Sequence, residues 1–253
     1  MNRSRAFNNY LEKNIKNKLF SQSYYLNRKE KRHLEDILTF LKKEFYDEYG
    51  IIPRAAISLT GPAGKAHAKN FKSINIEHVY VPEYSNPTYK NLVHSINNSE
   101  YKDYMTIRNV EFFDFFEQLT NGNVMLSDID FDTTCTLDSI SSELTKFAYT
   151  LSNKLSNLTP VFTFTVTLSR RRTGGHTKED LEQVFVKTLN SLNKIRIIDM
   201  YLQPYFDTSA MLTAFFVLGR ESFVSVVNPS CKSDATTFKY LYPVQHRIDK
   251  MGQ

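Results

Sequence analysis

The alternation of strand-like and helix-like segments after residue 124 most constrains the fold of this 253-residue chain. Val124 to Phe131 has the pattern of a strand, and Ile140 to Leu155 carries apolar residues at a helical period. Val161 to Leu168 alternates apolar residues with threonine, and a second helix is predicted from Thr177. Three further β-rich runs follow at 195–202, 211–218 and 223–227. The order predicts an α+β protein in which helices pack on a mixed β-sheet.

A basic helical segment is predicted in front of this sheet. Its second helix carries one apolar stripe, made of Leu34, Ile37, Leu38, Leu41 and Phe45. We divide the chain into a helical segment at 1–50 and an α+β domain at 51–253. Within that domain we expect a core at 124–228 and a polar tail at 229–253.

Shorter elements are predicted between the helical segment and the core. Residues 55–59 and 76–81 read as strands, because they combine β-branched and apolar residues. Helices are expected at about 87–97 and 101–119. Gly61-Pro62-Ala63-Gly64-Lys65 follows the first of these strands and is similar to a phosphate-binding loop. That loop needs four residues between its glycines and a Ser or Thr after the lysine, so we predict an ordinary Pro/Gly loop.

Charge is distributed unevenly along the chain. Residues 1–43 hold 11 Lys and Arg against 4 Asp and Glu, whereas residues 73–145 hold 3 against 12. Such asymmetry favours a polyanionic partner, here nucleic acid, or a contact within a homo-oligomer or a protein assembly. The residues predicted to bind nucleic acid are Lys13, Lys16, Lys29 and Arg32.

The location predicted from the sequence is cytoplasmic, without a membrane partner. No run approaches the roughly 18 apolar residues of a membrane helix, and the N-terminus lacks the apolar stretch of a signal peptide. The two cysteines, Cys135 and Cys231, are too few for a disulfide framework and are predicted to be free thiols.

An acidic cluster is the strongest candidate for chemistry. Asp128, Asp130 and Asp132 alternate with Ile129 and Phe131, so on a strand the three carboxylates project from one face. Carboxylates this close repel one another unless a cation lies between them, and Mg²⁺ or Mn²⁺ can supply it. The alternative is a strand that ends in a polar turn, with one aspartate capping the next helix.

A resemblance to a known family supports the metal hypothesis. Val124 to Asp130, three apolar residues followed by Ser-Asp-Ile-Asp, resembles the first motif of the archaeo-eukaryotic primase superfamily, the primase-polymerases. In that family a strand then leads to a Ser/Gly-rich turn with a histidine, and a third acidic residue follows on a later strand. Ser169 to His176 and Asp199 are similar to those elements, so the resemblance spans about residues 124–200.

The resemblance implies a role for each matching residue. Asp128, Asp130 and Asp199 would be catalytic and would bind Mg²⁺ or Mn²⁺. Nucleotide phosphates would be bound by Arg170, Arg171, Arg172 and His176, since the arginine fork suits oxyanions.

Two hypotheses of function follow. The first is a divergent, metal-dependent nucleotidyltransferase of primase-polymerase type that acts on nucleic acid in DNA replication. It predicts that the strands at 124–131 and 161–168 are parallel neighbours, and that Asp128, Asp130 and Asp199 converge on one metal. The second is a non-enzymatic protein of a phage or mobile element, either nucleic-acid-binding or an assembly component of a virion.

Overall fold

The computed structural model describes residues 28–61, 64–169, 177–206, 210–227 and 238–240. The strands in these ranges are β1 (Ala55–Ser58), β2 (His78–Pro82), β3 (Met105–Arg108), β4 (Leu126–Thr136), β5 (Leu158–Ser169), β6 (Ile195–Phe206), β7 (Ala210–Arg220) and β8 (Lys239–Tyr240). The helices are α1 (Arg28–Glu48), α2 (Gly64–Ser73), α3 (Asn86–Asn97), α4 (Phe112–Asn121), α5 (Leu137–Asn153), α6 (Thr177–Leu181), α7 (Lys187–Leu192) and α8 (Glu221–Val227). A π-helical turn, Glu182–Val186, joins α6 to α7.

All eight strands form one sheet in the order β3-β2-β1-β4-β5-β7-β6-β8. Strands β1 to β5 pair in parallel, whereas β7 is antiparallel to both β5 and β6. The predicted parallel pairing of β4 with β5 is confirmed. The predicted mixed sheet with packed helices is confirmed, and because most of its strands pair in parallel the fold is α/β rather than α+β. The three short strands before residue 124, each followed by a helix, extend the parallel sheet beyond the core that the sequence predicted at 124–228.

Two local predictions are also wrong. Met105–Arg108 is strand β3, where the sequence predicted the first half of a helix over 101–119. Residues 223–227 belong to helix α8 rather than to a strand, although they are rich in valine. Val224, the buried residue of α8, packs against the sheet, and this tertiary contact outweighs the strand propensity of valine. The helix predicted at 87–97 is confirmed as α3.

Helices cover both faces of the sheet. On one face, α4, α5 and the helices at 177–192 bury an aromatic core that includes Phe116, Phe147, Phe164, Phe185 and Phe216. On the other face, α1, α2, α3 and α8 bury two smaller apolar clusters. The predicted apolar stripe of α1 is buried there, with Leu34, Ile37 and Phe45 each at most 2% exposed. No helix in the described ranges is long and apolar enough to cross a membrane.

Candidate ligand-binding site

The candidate site lies at the carboxyl ends of the central strands. Successive strands are added on one side of β1 as far as β3, and the chain then crosses to the other side to form β4. In open α/β sheets such a switch point leaves a crevice outside the carboxyl ends of the two strands, where ligands bind. At this edge the Leu59 amide, directly after β1, donates a hydrogen bond of 3.0 Å to the Asp130 carbonyl of β4.

Two glycines, Gly61 and Gly64, lie where the chain passes from β1 to α2. Gly61 has φ of +50°, a conformation that favours glycine, and a Cβ placed there would meet no atom within 4 Å. Gly64 begins α2, and a Cβ there would lie 2.6 Å from Leu92 Cδ1. The first glycine therefore permits the left-handed backbone after β1, and the second lets α2 pack closely on α3.

Glu83 supplies a carboxylate at the same edge, directly after β2. Its Oε1 accepts a hydrogen bond of 2.7 Å from the Ser85 amide, and its own amide donates to the carbonyl of Arg108, the last residue of β3. The Asn109 side chain donates to the carbonyls of Glu83 and Tyr84, at 2.7 and 3.0 Å. These bonds fix the position of the Glu83 carboxylate. It follows the glycine loop by about 20 residues, and dinucleotide-binding folds have the carboxylate that binds the ribose hydroxyl at this spacing.

The part of this sheet face that β4 and β5 form under α1 is polar, unlike the aromatic opposite face. Asp128, Asp130 and Asp132 point to this face, and Ile129 and Phe131 lie in the aromatic core, as the alternation predicted. Strand β5 continues the pattern with Thr163, Thr165 and Thr167, which pair in register with the three aspartates. The result is a block of carboxylates and hydroxyls beneath a helix.

Lys42 of α1 neutralises the innermost aspartate. Its Nζ lies 2.8 Å from Asp128 Oδ2, and both side chains are at most 6% exposed. The Thr163 hydroxyl donates to the same carboxylate at 2.8 Å, and Tyr46 donates to the Ser127 carbonyl at 2.6 Å. Burial raises the pKa of Tyr46 well above its ordinary value, so this donor stays protonated. Asp128 is therefore an anchor for α1, because its oxygens already have partners inside the protein.

The described polar neighbours of the Asp130 carboxylate lie farther away than those of Asp128 do. The Ser58 hydroxyl donates to its carboxylate at 3.2 Å, and His67 Nδ1 of α2 lies 3.9 Å from Oδ2. Burial, and to a lesser degree the charges of Asp132 and Asp128, raise the pKa of Asp130 to about 7, against the opposing influence of Lys42. A carboxyl group with this pKa can bind or release a proton near neutral pH.

A cavity of about 50 Å³ lies between α1, α2 and the polar sheet face. Its polar walls include Glu35, His67, Asp130, Asp132 and Thr165. His67 Nε2 lies 3.8 Å from Glu35 Oε1, so the imidazole stands between the carboxylates of Glu35 and Asp130. The cavity thus brings carboxylates, an imidazole and a hydroxyl together under α1.

Asp199 does not join the other predicted metal ligands. It lies in the same row of the sheet as Asp128, but Thr163 of β5 and Val217 of β7 stand between them. Three strand spacings amount to roughly 14 Å. The carboxylate of Asp199 instead accepts from Tyr201 and binds Lys239, which ties β8 to β6. In the part of the chain that the structure describes, no group of three or more His, Cys, Asp or Glu side chains could hold a metal ion.

Several predicted site residues fall outside the described part of the chain. Strand β5 ends at Ser169, and the proposed phosphate ligands Arg170, Arg171, Arg172 and His176 follow it outside the described ranges. Lys13 and Lys16 lie outside them as well. Lys29 and Arg32 are in α1, with side chains that are not described.

Sequence reasoning missed four features of this site, and two of them have a signal in the sequence. Glu35, Lys42 and Tyr46 recur at helical spacing beside the apolar stripe of α1, which indicates a second buried face. The alternating threonines of β5 indicate a polar sheet face. Gly61 lacks the spacing of a phosphate loop, and Glu83 belongs to no recognisable motif. The shared position of both residues at one edge of the sheet can be recognised only when β1 and β2 are known to be parallel neighbours.

Comparison with known proteins identifies the fold. No protein-family model and no curated protein sequence matches the chain. The structure is similar to the O-methyltransferase from Bacillus cereus in complex with SAH, with a TM-score of 0.50 and 12% identity over 84% of this chain and 90% of that one. It is similar to the N-terminal domain of human METTL16 in complex with SAH, with a TM-score of 0.50 and 9% identity over 85% of this chain and 80% of that one. A METTL16 MTase domain, at a TM-score of 0.48 and 7% identity, is matched over 75% of this chain and about two thirds (66%) of its own length.

These similarities correct the sequence-based function. The chain has the Rossmann-like fold of methyltransferase structures, so the resemblance to primase-polymerases is wrong. The predicted metal-dependent nucleotidyltransferase of DNA replication, with Mg²⁺ or Mn²⁺ as cofactor, is wrong for the same reason, and the separation of Asp199 from Asp128 agrees with that. The non-enzymatic alternative also gains no support. At this level of identity, the similarity shows the fold alone.

Proposed function

We propose that this protein is a methyltransferase that binds S-adenosylmethionine (SAM) at the switch point between β1 and β4. The observation that carries the proposal is the meeting of the Gly61 loop and Glu83 at one edge of a sheet with this strand order. Nucleoside-containing ligands bind Rossmann-like sheets at such an edge. Two structures with the same fold were determined with SAH, the product that SAM leaves after methyl transfer.

The residues at this edge fit the nucleoside part of SAM. The open backbone at Gly61 allows close approach, and the Glu83 carboxylate can accept hydrogen bonds from ribose hydroxyls, since the Ser85 amide occupies only part of its capacity. When bound, SAM supplies a methyl group on a positively charged sulfur. Asp130, with its pKa of about 7, can take up a proton released by a methyl acceptor.

The experiment compares two glutamates that flank β2. Glu83→Gln should weaken SAH binding about tenfold or more, because a hydrogen bond to a charged group is removed. Glu77→Gln is the matched control, since Glu77 precedes β2 at the opposite edge of the sheet and pairs with Arg54. Isothermal titration calorimetry with SAH measures both variants. Absence of SAH binding by the wild type, or equal effects of the two substitutions, would refute the proposal.

We further infer that nucleic acid is a partner of this protein. The support is the excess of 11 basic over 4 acidic residues in the first 43 positions, which holds all four predicted contact residues, Lys13, Lys16, Lys29 and Arg32. A local charge of this size attracts phosphate backbones at physiological salt.

A further inference from the structure

The outer side of α2 carries a stripe of positive charge. Lys65, Lys69 and Lys72 recur at i, i+4 and i+7, so they lie on one side of the helix, and all three are exposed. The helix contains no acidic residue. The neighbouring helix α3, whose Leu92 contacts α2 at Gly64, contains none either. The three lysines, called the lysine stripe below, therefore present positive charge that neither helix offsets.

Two members of the stripe have no counter-charge. In the part of the chain that the structure describes, Lys65 and Lys69 form no ion pair, whereas the exposed Lys43 of α1 pairs with Asp47. The third member has a neighbour within the fold, since Lys72 Nζ lies 5.8 Å from the centre of the Tyr101 ring. The positive ends of Lys65 and Lys69 are thus available to an anion from outside.

Lys65 also stands where a helix disfavours a lysine. α2 begins at Gly64, so Lys65 lies in the first turn, where unpaired amide groups carry partial positive charge. Acidic residues are preferred in such a turn, and α2 has none there. Lys72, in the last turn, suits the opposite end of the same dipole. A lysine that opposes its own helix breaks a local rule without a gain inside the fold, which indicates a role in binding.

The dimensions and composition of the stripe favour a nucleic-acid strand as its partner. The other exposed residues of α2, Ala66 and Ser73, are small and offer no large apolar group that could enter a lipid bilayer. At about 1.5 Å per residue the stripe is roughly 10 Å long, the length of about three phosphates along one strand. Because Lys65 follows the loop after β1, the stripe begins at the carboxyl edge of the sheet, beside the candidate site.

We propose that the lysine stripe of α2 binds the phosphate backbone of a nucleic-acid strand and holds that strand beside the carboxyl edge of the sheet. The proposal rests on the nucleic-acid partner inferred under the proposed function, but not on the binding of SAM. It locates a contact within the described fold, separate from the basic beginning of the chain. Lysines that contact phosphates do not read bases, so binding through the stripe is independent of base sequence.

The first experiment measures binding of fluorescein-labelled oligouridine and oligothymidine by fluorescence anisotropy. Replacing Lys65, Lys69 and Lys72 together by Gln should weaken binding about tenfold or more. The salt dependence should fall by roughly two units of slope, since each neutralised phosphate of a single strand contributes about 0.7. The control removes the same charge from three exposed lysines away from α2: Lys146, Lys187 and Lys194. The control variant should bind nearly as well as the wild type, and circular dichroism checks that both variants fold.

The second experiment needs no substitution. Wild-type protein is acetylated with N-hydroxysuccinimidyl acetate, with and without saturating oligouridine, and mass spectrometry gives the rate of modification at each lysine. Bound oligouridine should slow the acetylation of Lys65 and Lys69, because their amino groups then contact phosphates. Lys146 and Lys187, on the helices of the other sheet face, should react at the same rate in both samples.

Three results would overturn the proposal, each with a different meaning. Equal losses of affinity in the two triple variants, or equal protection of all lysines, would show that net charge alone attracts the strand. Unchanged binding by the α2 variant, with weakened binding after replacement of Lys13, Lys16, Lys29 and Arg32, would reject the stripe and leave the nucleic-acid partner standing. No binding of either oligonucleotide by the wild type would reject both, and binding to phosphatidylserine vesicles instead would identify a membrane surface as the partner. Titration with SAH tests the methyltransferase proposal separately from all three.

Discussion

Asp130 connects the two halves of the candidate site. Its carbonyl accepts from Leu59 at the start of the glycine loop, and its carboxylate faces the pocket under α1. Burial raises the pKa of this carboxyl from 3.8 to about 7. Among the described residues, the charged groups that face it are Glu35 and Lys42 of α1, His67 of α2, and Asp128 and Asp132 of β4.

The raised pKa of Asp130 predicts a pH-dependent effect of Asp130→Asn on stability. Between about pH 4 and 7 the folded protein holds a proton on Asp130 that the unfolded chain has released, so this group's contribution to stability falls as pH rises through 7. Asparagine does not ionise and resembles the protonated form. The melting temperature of Asp130→Asn should therefore be closest to that of the wild type near pH 4 and exceed it by a larger margin at pH 8. A difference that is the same at both pH values in thermal denaturation followed by circular dichroism would contradict this expectation.

At the scale of elements, α1 is attached to the sheet by polar groups as well as by its apolar stripe. Lys42 and Tyr46 reach β4 from one side of the helix, and Lys42 Nζ also lies 5.2 Å from the centre of the Phe71 ring in α2. Because Asp128 is fully buried, removing its counter-charge leaves an uncompensated carboxylate in the interior.

Lys42→Met should consequently lower the free energy of unfolding by about 3–5 kcal/mol. Lys43→Met is the matched control, since Lys43 pairs with Asp47 in an exposed i,i+4 contact on the same helix. That change should cost no more than about 0.5 kcal/mol. Urea denaturation of both variants tests the contrast, and similar losses of stability for the two lysines would show that the buried pair does not anchor α1.

Many of the helices and strands could be predicted from local sequence pattern, because neighbouring residues determine the helical or strand period. The helix at Asn86–Asn97 and the parallel pairing of β4 with β5 are examples. Strand β3 could not be predicted, since it has four residues and only Met105 is buried. The arrangement of the site could not be predicted in the same way. The separation of Asp199 from Asp128 depends on the order of the strands, which local sequence does not encode.

At the scale of the whole molecule, the basic beginning of the chain contrasts with an acidic middle. Replacing Lys13, Lys16, Lys29 and Arg32 by Gln should weaken binding of RNA or DNA and reduce its salt dependence, by roughly one unit of slope for each phosphate that is no longer neutralised. Fluorescence anisotropy at several salt concentrations measures both quantities. The control removes the same charge elsewhere, from Lys90, Lys102, Lys146 and Lys187. Equally weakened binding by the two quadruple variants would show that only net charge matters.

The polar face beneath α1 also affects how the central strands find their partners during folding. A slip of β4 by one residue against β1 and β5 would turn Asp128, Asp130 and Asp132 into the aromatic core and bring Ile129 and Phe131 into the pocket. Burying even one carboxylate among phenylalanines without a partner costs several kcal/mol. The three aspartates thus disfavour the shifted pairing, so the residues that line the pocket also favour a single register of the sheet.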